Sequence, residues 1–474
     1  MSSDRRSPTP IALPSRDDPL IGSLSEPIGG PAGARAVPAP RWWGPARVAL
    51  AVACAVLALG VIADGRCHAD GWAERDRDTW ANLCYSDVPF LYRERGFADH
   101  LLPYRDTPLE YPVVTGAVMQ GSAFLARAAA AATDPALEDR RMIESVRFYD
   151  ITALLMAGFA LVVVFATGRT VRRRPWDGLL VAASPVLLLS ATINWDLMAA
   201  AFVALAILAW TRERSVLTGI FIGLGTAAKL YPVLLLGPML LLVFRSSRRK
   251  EDLGRFASTV GAAAVTWAAV NIPVYLWAPD GWLASYTFHW DREISFGSPW
   301  YAIHIWQPDL LPNQVDPLVF GAGLIFLVAI AALVIAAPEP PRLAQLAFLA
   351  VAAFVLVNKV WSPQFALWLL PLAVLARPRW RDVLIWQVTE VAYFVAVWWY
   401  LGGIISAELY AAAIAVHVAG LVFLMAMVTR DVLRPAHDPV RPYADALAPV
   451  RPTPATRRPY ADPIAPGEPA HDQR

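Results

Sequence analysis

VVTGAVMQGSAFLARAAAAA, residues 113–132, decides how the rest of the chain is threaded. An apolar run of this length is long enough to cross about 30 Å of hydrocarbon. Counting it as a crossing, however, puts four basic loops on the wrong side of the membrane: RTVRRR (169–174), TRER (211–214), RSSRRK (245–250) and ARPRWR (376–381). Lys and Arg collect in cytoplasmic loops, so the positive-inside rule would fail four times together. If residues 113–132 instead lie along the membrane or dip into it, all four loops become cytoplasmic. The segment is Ala-rich and interrupted by Gln120 and Arg127, which suits an interfacial helix. The reading adopted is therefore that it does not cross.

Outward from this segment, the chain reads as an all-α integral membrane protein. Of its 474 residues 57% are hydrophobic and its mean hydropathy is +0.43, far above a soluble domain. Residues 46–63 (ARVALAVACAVLALGVIA) form the first span, and Arg41 and Arg47 before it put the preceding tail in the cytoplasm. A large outer loop then runs from 64 to 148, with 113–132 as a juxtamembrane helix, and a second outer loop from 278 to 316. The remaining spans are expected near 149–168, 178–194, 196–211, 215–229, 231–244, 257–277, 317–337, 343–358, 363–377, 383–401 and 407–429, about twelve crossings in all. Residues 1–45 and 430–474 are Pro-rich and read as disordered cytoplasmic tails around a membrane domain at 46–429. The second tail carries a small repeat, RPYADALAP from 441 and RPYADPIAP from 458, suited to a docking segment.

A net charge of +2 gives no reason to expect a nucleic-acid partner. Three cysteines exclude a Cys-based zinc cluster. Cys67 and Cys84 share the first outer loop and pair if that loop faces an oxidising compartment; otherwise they are two free thiols.

The polar chemistry gathers on the outer side. CYSDVPFLYRERGFADHLLPYRDTPLEYP (84–112) mixes carboxylates with aromatic rings, a combination that takes protons and stacks on sugar faces. Asp87 is the candidate catalytic base, because neighbouring rings would desolvate it and raise its pKa. Its bland reading is an N-cap for a helix starting near Val88. Asp106 and Glu110 are the alternatives. Lys229, Arg292 and Lys359 are candidates for binding a lipid phosphate, Arg through paired hydrogen bonds and Lys as a point charge. Each could equally anchor a helix end in the headgroup layer. Asp196, His289, Gln364, Glu110 and Tyr111 complete the candidate substrate contacts, with His304 as a surface histidine on the same loop as His289. Glu390 and His417, midway along the last two spans, read as a buried pair joining helices.

Several of these stretches together resemble glycosyltransferase family 87: SDVPFLYRERGF (86–97) with PYRDTPLEYP (103–112), NWDLMAAAFVALAILAW (194–210), GLGTAAKLYPVLLLGP (223–238) and NKVWSPQFALWLLPL (358–372). A second proline is expected at EYPV (110–113), and Val113 stands in its place. The resemblance implies a C-type glycosyltransferase fold, with an acidic catalytic residue early in the first outer loop, which falls on Asp87. It also implies a polyprenyl-phosphate sugar as donor, mannose or a pentose such as arabinofuranose. The acceptor would be a glycolipid or glycan of an actinobacterial-type cell envelope, at the outer face of the plasma membrane. Transfer would be inverting and would need neither metal nor other cofactor. A lipid-linked-sugar flippase is the alternative from another class. Transporters tend to carry internal repeats and midplane polar sites.

Overall fold

The computed structural model describes residues 44–73, 75, 77–131, 137–312 and 314–441. The tail expectations for 1–43 and 442–474, including the repeat beyond Arg441, lie outside the described residues. Among the described residues the chain is mostly helical. The first third forms α1 (Pro45–Ala63), α2 (Gly65–Ala69), α3 (Arg77–Ala81), α4 (Asp87–Glu94), α5 (Val113–Ala131) and α6 (Leu137–Thr170). Then follow α7 (Gly178–Ala182), α8 (Pro185–Ser190), α9 (Asp196–Thr211), α10 (Ser215–Ala228), α11 (Leu236–Arg245), α12 (Arg249–Trp277), α13 (Pro279–Trp290) and α14 (Pro299–Trp306). The last part is α15 (Asp316–Ala336), α16 (Leu343–Val357), α17 (Ala366–Ala376), α18 (Trp380–Leu401) and α19 (Ala407–Leu433). Two short strands, β1 (Ser295–Phe296) and β2 (Val360–Trp361), pair in parallel.

Seven of these helices are long and apolar enough to cross a membrane: α1, α5, α6 from Arg140, α12, α15, α18 and α19. Five shorter apolar helices stand among them: α9, α10, Tyr231–Arg245, α16 and Pro363–Ala376. The two sets differ in burial. Every residue of α17 is buried, as is most of α9, whereas the apolar window of α15 is only 11% buried. Helices apolar all round belong either in a core or against lipid. Here α9, α16 and α17 are mostly buried and lie in the core, whereas α15 faces outward with Phe320, Ile325 and Ile335 exposed.

Residues 178–194 do not form the single span read from their hydropathy. Pro185 has no N–H to continue a helix and pushes Ser184 into extended backbone. The chain breaks there into α7 and α8, and Ser184 caps the second piece by accepting from Leu187 N at 3.3 Å. The last helix also runs past the expected end at 429, to Leu433. Residues 434–441 then fold back instead of leaving as a tail. Asp438 is fully buried and receives Arg342 through Nε at 2.8 Å and Nη2 at 2.9 Å. The same guanidinium donates to the carbonyls of Leu375 and Ala376, groups that the end of α17 would otherwise leave without partners.

The loop between α1 and α6 is folded. A disulfide joins Cys67 to Cys84, with the Trp72 indole donating to the Cys84 carbonyl at 2.9 Å. Tyr92 of α4 donates to Glu144 of α6 at 2.7 Å. Arg95 grips Glu110 with two bonds, 2.7 and 3.0 Å. α5 is held at both ends on this side of the molecule: Thr115 donates to the Ala228 carbonyl at the end of α10, and Arg127 to the Phe97 carbonyl in the loop. The second loop docks on the first through Gly281, where a Cβ would lie 1.8 Å from the Tyr104 carbonyl oxygen.

Closing a loop of 17 residues removes conformational freedom from the unfolded chain. Replacing Cys67 and Cys84 together by Ser is expected to cost about 3 kcal/mol on the chain-entropy account. The check is thermal unfolding in detergent. An unchanged midpoint would mean that the loop's hydrogen bonds and packing fix it without the disulfide.

Candidate functional site

A helix of 14 to 16 residues, such as α9 or α10, rises only about 21–24 Å. The core helices therefore stop short on the loop side, and a cavity of about 350 Å³ opens where they end. Asp87, Tyr111, Asn194, Lys229, Tyr231, His289, Arg292, Lys359 and Gln364 all line it. A wider outer cavity of about 630 Å³ adjoins it and shares Glu110, Arg95 and Arg292.

Asp87 is the first residue of α4 but not its cap. Ser86 takes that role, accepting from Val88 N at 3.2 Å, which leaves the Asp87 carboxylate free of the helix. Its Oδ1 accepts from the Tyr85 hydroxyl at 2.8 Å and its Oδ2 from Asn194 Nδ2 at 3.3 Å. Burial pushes its pKa above the usual carboxylate range, and those hydrogen bonds with the charges of Lys229 and Arg75 only partly offset the shift. Burial, reinforced by Asp87, also drives the Tyr85 phenol upward, so Tyr85 stays a donor. Tyr85 stacks on Trp80 at 4.6 Å and meets Trp398 at a tilt, 4.9 Å away, and Tyr85 and Trp398 line the cavity as an aromatic wall.

The three cations differ. Lys229, the C-cap of α10, sits 3.2 Å from Asp196 and lies over the Tyr111 ring at 5.1 Å. Lys359 is held by Asp316 at 2.7 Å and by the Trp290 carbonyl at 2.7 Å. Arg292 packs against Phe288 and Phe296, and among the described residues no carboxylate pairs with it. Among the described residues two of the three are thus paired with a carboxylate, and Arg292 lines the cavity without one. Parallel pairing of β1 with β2 fixes the second loop, through Ser295 N to Lys359 O and Gly297 N to Trp361 O, both 3.0 Å.

Asp196 does not line the cavity. It is fully buried beneath it as the counter-ion of Lys229, and the Trp368 indole donates to it at 2.6 Å. Asp106 lines neither cavity, and its carboxylate accepts from Leu102 N and closes a turn. Glu110 lines the cavity but is held by Arg95. His289 lies 3.1 Å from the Glu110 carbonyl, and burial, with Lys229 and Arg292 nearby, pushes its pKa down to about 4. It is neutral at pH 7. His304 is exposed, away from the cavity. Glu390 and His417 lie 3.5 Å apart, and His417 also reaches the Gly297 carbonyl at 2.9 Å, so they tie α18 and α19 to the second loop. The Gln364 Oε1 and Tyr231 hydroxyl are buried with no protein partner among the described residues.

The residue reading did not single out Trp80 or Trp398. Their signal was an excess of aromatic residues at loop-side helix ends, as in VWWYL (397–401). No group of three or more His, Cys, Asp or Glu side chains is placed to hold a metal among the described residues.

No curated protein matches the chain. Residues 142–358, a little under half of the chain, carry Asp196, Lys229, His289 and Arg292 but not Asp87, and they match the model of glycosyltransferase family 87, which indicates a glycosyltransferase.

Proposed function

We propose that the protein transfers a sugar, mannose in the first instance, from a polyprenyl-phosphate donor to a hydroxyl of a cell-envelope glycolipid or glycan. The observation that carries this reading is the meeting of Asp87, Arg292 and an aromatic wall in one cavity. The Asp87 carboxylate takes the proton from the acceptor hydroxyl. That oxygen forms its bond to the anomeric carbon while the carbon–phosphate-oxygen bond breaks, and the lipid phosphate leaves with the electron pair. Attack from the face opposite the leaving group inverts the anomeric centre. Arg292 meets the phosphate as its charge develops, and Lys229 and Lys359 add positive potential from the same wall.

Leu230 and Phe354 give the cavity an apolar part, and Leu230 is itself 55% exposed, which suits an exit for the lipid tail. Gln364 and Tyr231, with polar atoms that lack protein partners, suit the sugar hydroxyls. The Cys67–Cys84 bond and the basic loops at the opposite end favour placing the site on the outer, oxidising face of a plasma membrane.

The test is transfer of radiolabelled mannose from polyprenyl-phosphate-mannose by the purified protein, run beside a polyprenyl-phosphate-arabinofuranose donor. Transfer from the pentose alone would change the sugar and keep the reaction. Transfer from neither, with movement of intact lipid-linked sugar across vesicles, would replace the enzyme with a flippase.

Arg292→Gln gives a separate prediction. A charged hydrogen bond is worth about 1.5–3 kcal/mol, so the donor KM should rise roughly tenfold to a hundredfold. An unchanged KM would move the phosphate to Lys229 or Lys359.

A further inference from the structure

Asp64, the residue directly after α1, lies outside the cavity yet is tied to the Asp87 site by a short chain of bonds. Its Oδ2 accepts from the Tyr149 hydroxyl of α6 at 2.5 Å and from the Thr192 hydroxyl at 2.7 Å. Thr192 lies in the turn between α8 and α9, and three successive residues of that turn hold Ser86 and Asp87. The Thr192 carbonyl accepts from the Ser86 hydroxyl at 2.7 Å, and the Ile193 carbonyl accepts from Asp87 N at 2.8 Å. Asn194 donates to the Asp87 carboxylate. The turn is thus gripped from the cavity side by Ser86 and Asp87 and from the far side by Asp64.

Ordinary packing would not require a carboxylate there. Burial pushes the Asp64 pKa up to about 6, although Tyr149, Thr192 and His68 favour the ion. A residue that costs desolvation is informative when its hydrogen bonds fix something. Ionised, Asp64 can only accept, so the Thr192 hydroxyl must donate to it and the orientation of the turn is fixed. Beside it, His68 and Asp150 lie 2.7 Å apart, with Arg147 on Asp150 at 3.2 Å.

We propose that Asp64 is a positioning residue that acts through Thr192 to hold the 192–194 turn, and with it the Asp87 carboxylate, in the orientation the transfer step needs. This rests on the reading of Asp87 as base.

The experiment compares Asp64→Asn, Thr192→Val and Thr192→Ser in the purified full-length chain, by turnover and by amide hydrogen exchange. Asp64→Asn and Thr192→Val should lower kcat about tenfold with the donor KM held within about twofold. Both should speed exchange in residues 86–94 by about tenfold while residues 366–376 stay protected. Thr192→Ser keeps the hydroxyl and should match the wild type on both readouts, which a loss of bulk packing would not explain. Wild-type exchange in residues 86–94 of Thr192→Val would overturn the link. So would equal loosening of residues 366–376, the mark of a general destabilisation. Should Asp87→Asn retain full transfer, the base reading falls by itself, and the exchange comparison still decides whether Asp64 holds the turn.

Discussion

Asp87→Asn should reduce sugar transfer by roughly 10²–10⁴-fold, the range a positioned general base contributes, with little change in donor KM. The amide fills the same volume and can still accept from the Tyr85 hydroxyl, so the helix start at Ser86 stays in place. What is lost is the ability to take a proton. The wild-type pH profile offers a second check. Burial holds the Asp87 pKa above the usual carboxylate range, and only the ionised form is a base. Transfer by the wild type should therefore fall on acidification through that raised pKa, and the limb should vanish in the residual activity of Asp87→Asn. Full transfer by the variant would remove Asp87 from the chemistry. Neither alternative carboxylate is well placed to succeed it, because Glu110 is bound by Arg95 and Asp106 closes a turn.

Lys229→Met should destabilise the fold by about 3–5 kcal/mol, because it leaves the Asp196 charge buried without its partner. Asp196 has no exposure, and its second oxygen has no protein hydrogen bond among the described residues. Lys229→Met/Asp196→Asn should recover most of that stability, since the uncompensated charge is gone. It should not recover transfer, because Lys229 also lends positive potential to Asp87 and to the donor phosphate. Thermal unfolding and the transfer assay on the same preparations separate the two effects. Recovery of both would make Lys229 a purely structural counter-charge and leave Arg292 as the phosphate ligand.

Much of this arrangement was legible before any coordinates. Long apolar runs locate α1, α15 and α19, because nothing else in a sequence looks like a membrane-length helix. The residues lining the cavity, among them Asp87, Lys229, Arg292, Lys359 and Gln364, were found because they sit at helix ends, where a polar group in an apolar chain stands out. What sequence could not supply was pairing. Asp196 read as a substrate contact because its partner is thirty-three positions away across two helices, and only packing shows that its charge is already taken. The break at Ser184–Pro185 was hidden inside a run whose hydropathy is unbroken. Asp64 carries no signal of its own in the sequence, since its meaning depends on Tyr149 and Thr192, both remote in the chain. Composition also assigned residues 434–441 to a loose tail, although Asp438 alone is enough to anchor them under Arg342.

The unequal lengths of the helices bear on how the protein sits among lipids. A helix of 15 or 16 residues set against acyl chains would leave several ångströms of hydrocarbon uncovered, and the bilayer would have to thin to meet it. α9, α16 and α17 avoid that penalty because they are mostly buried, packed against α6, α15, α18 and α19. Hydrophobic matching is thus delegated to the periphery, and the recess above the core is a feature of the protein's own interior. A membrane of different thickness would tilt or strain the outer helices first. The distance from Asp87 to Arg292 would be buffered from that strain by the packed centre.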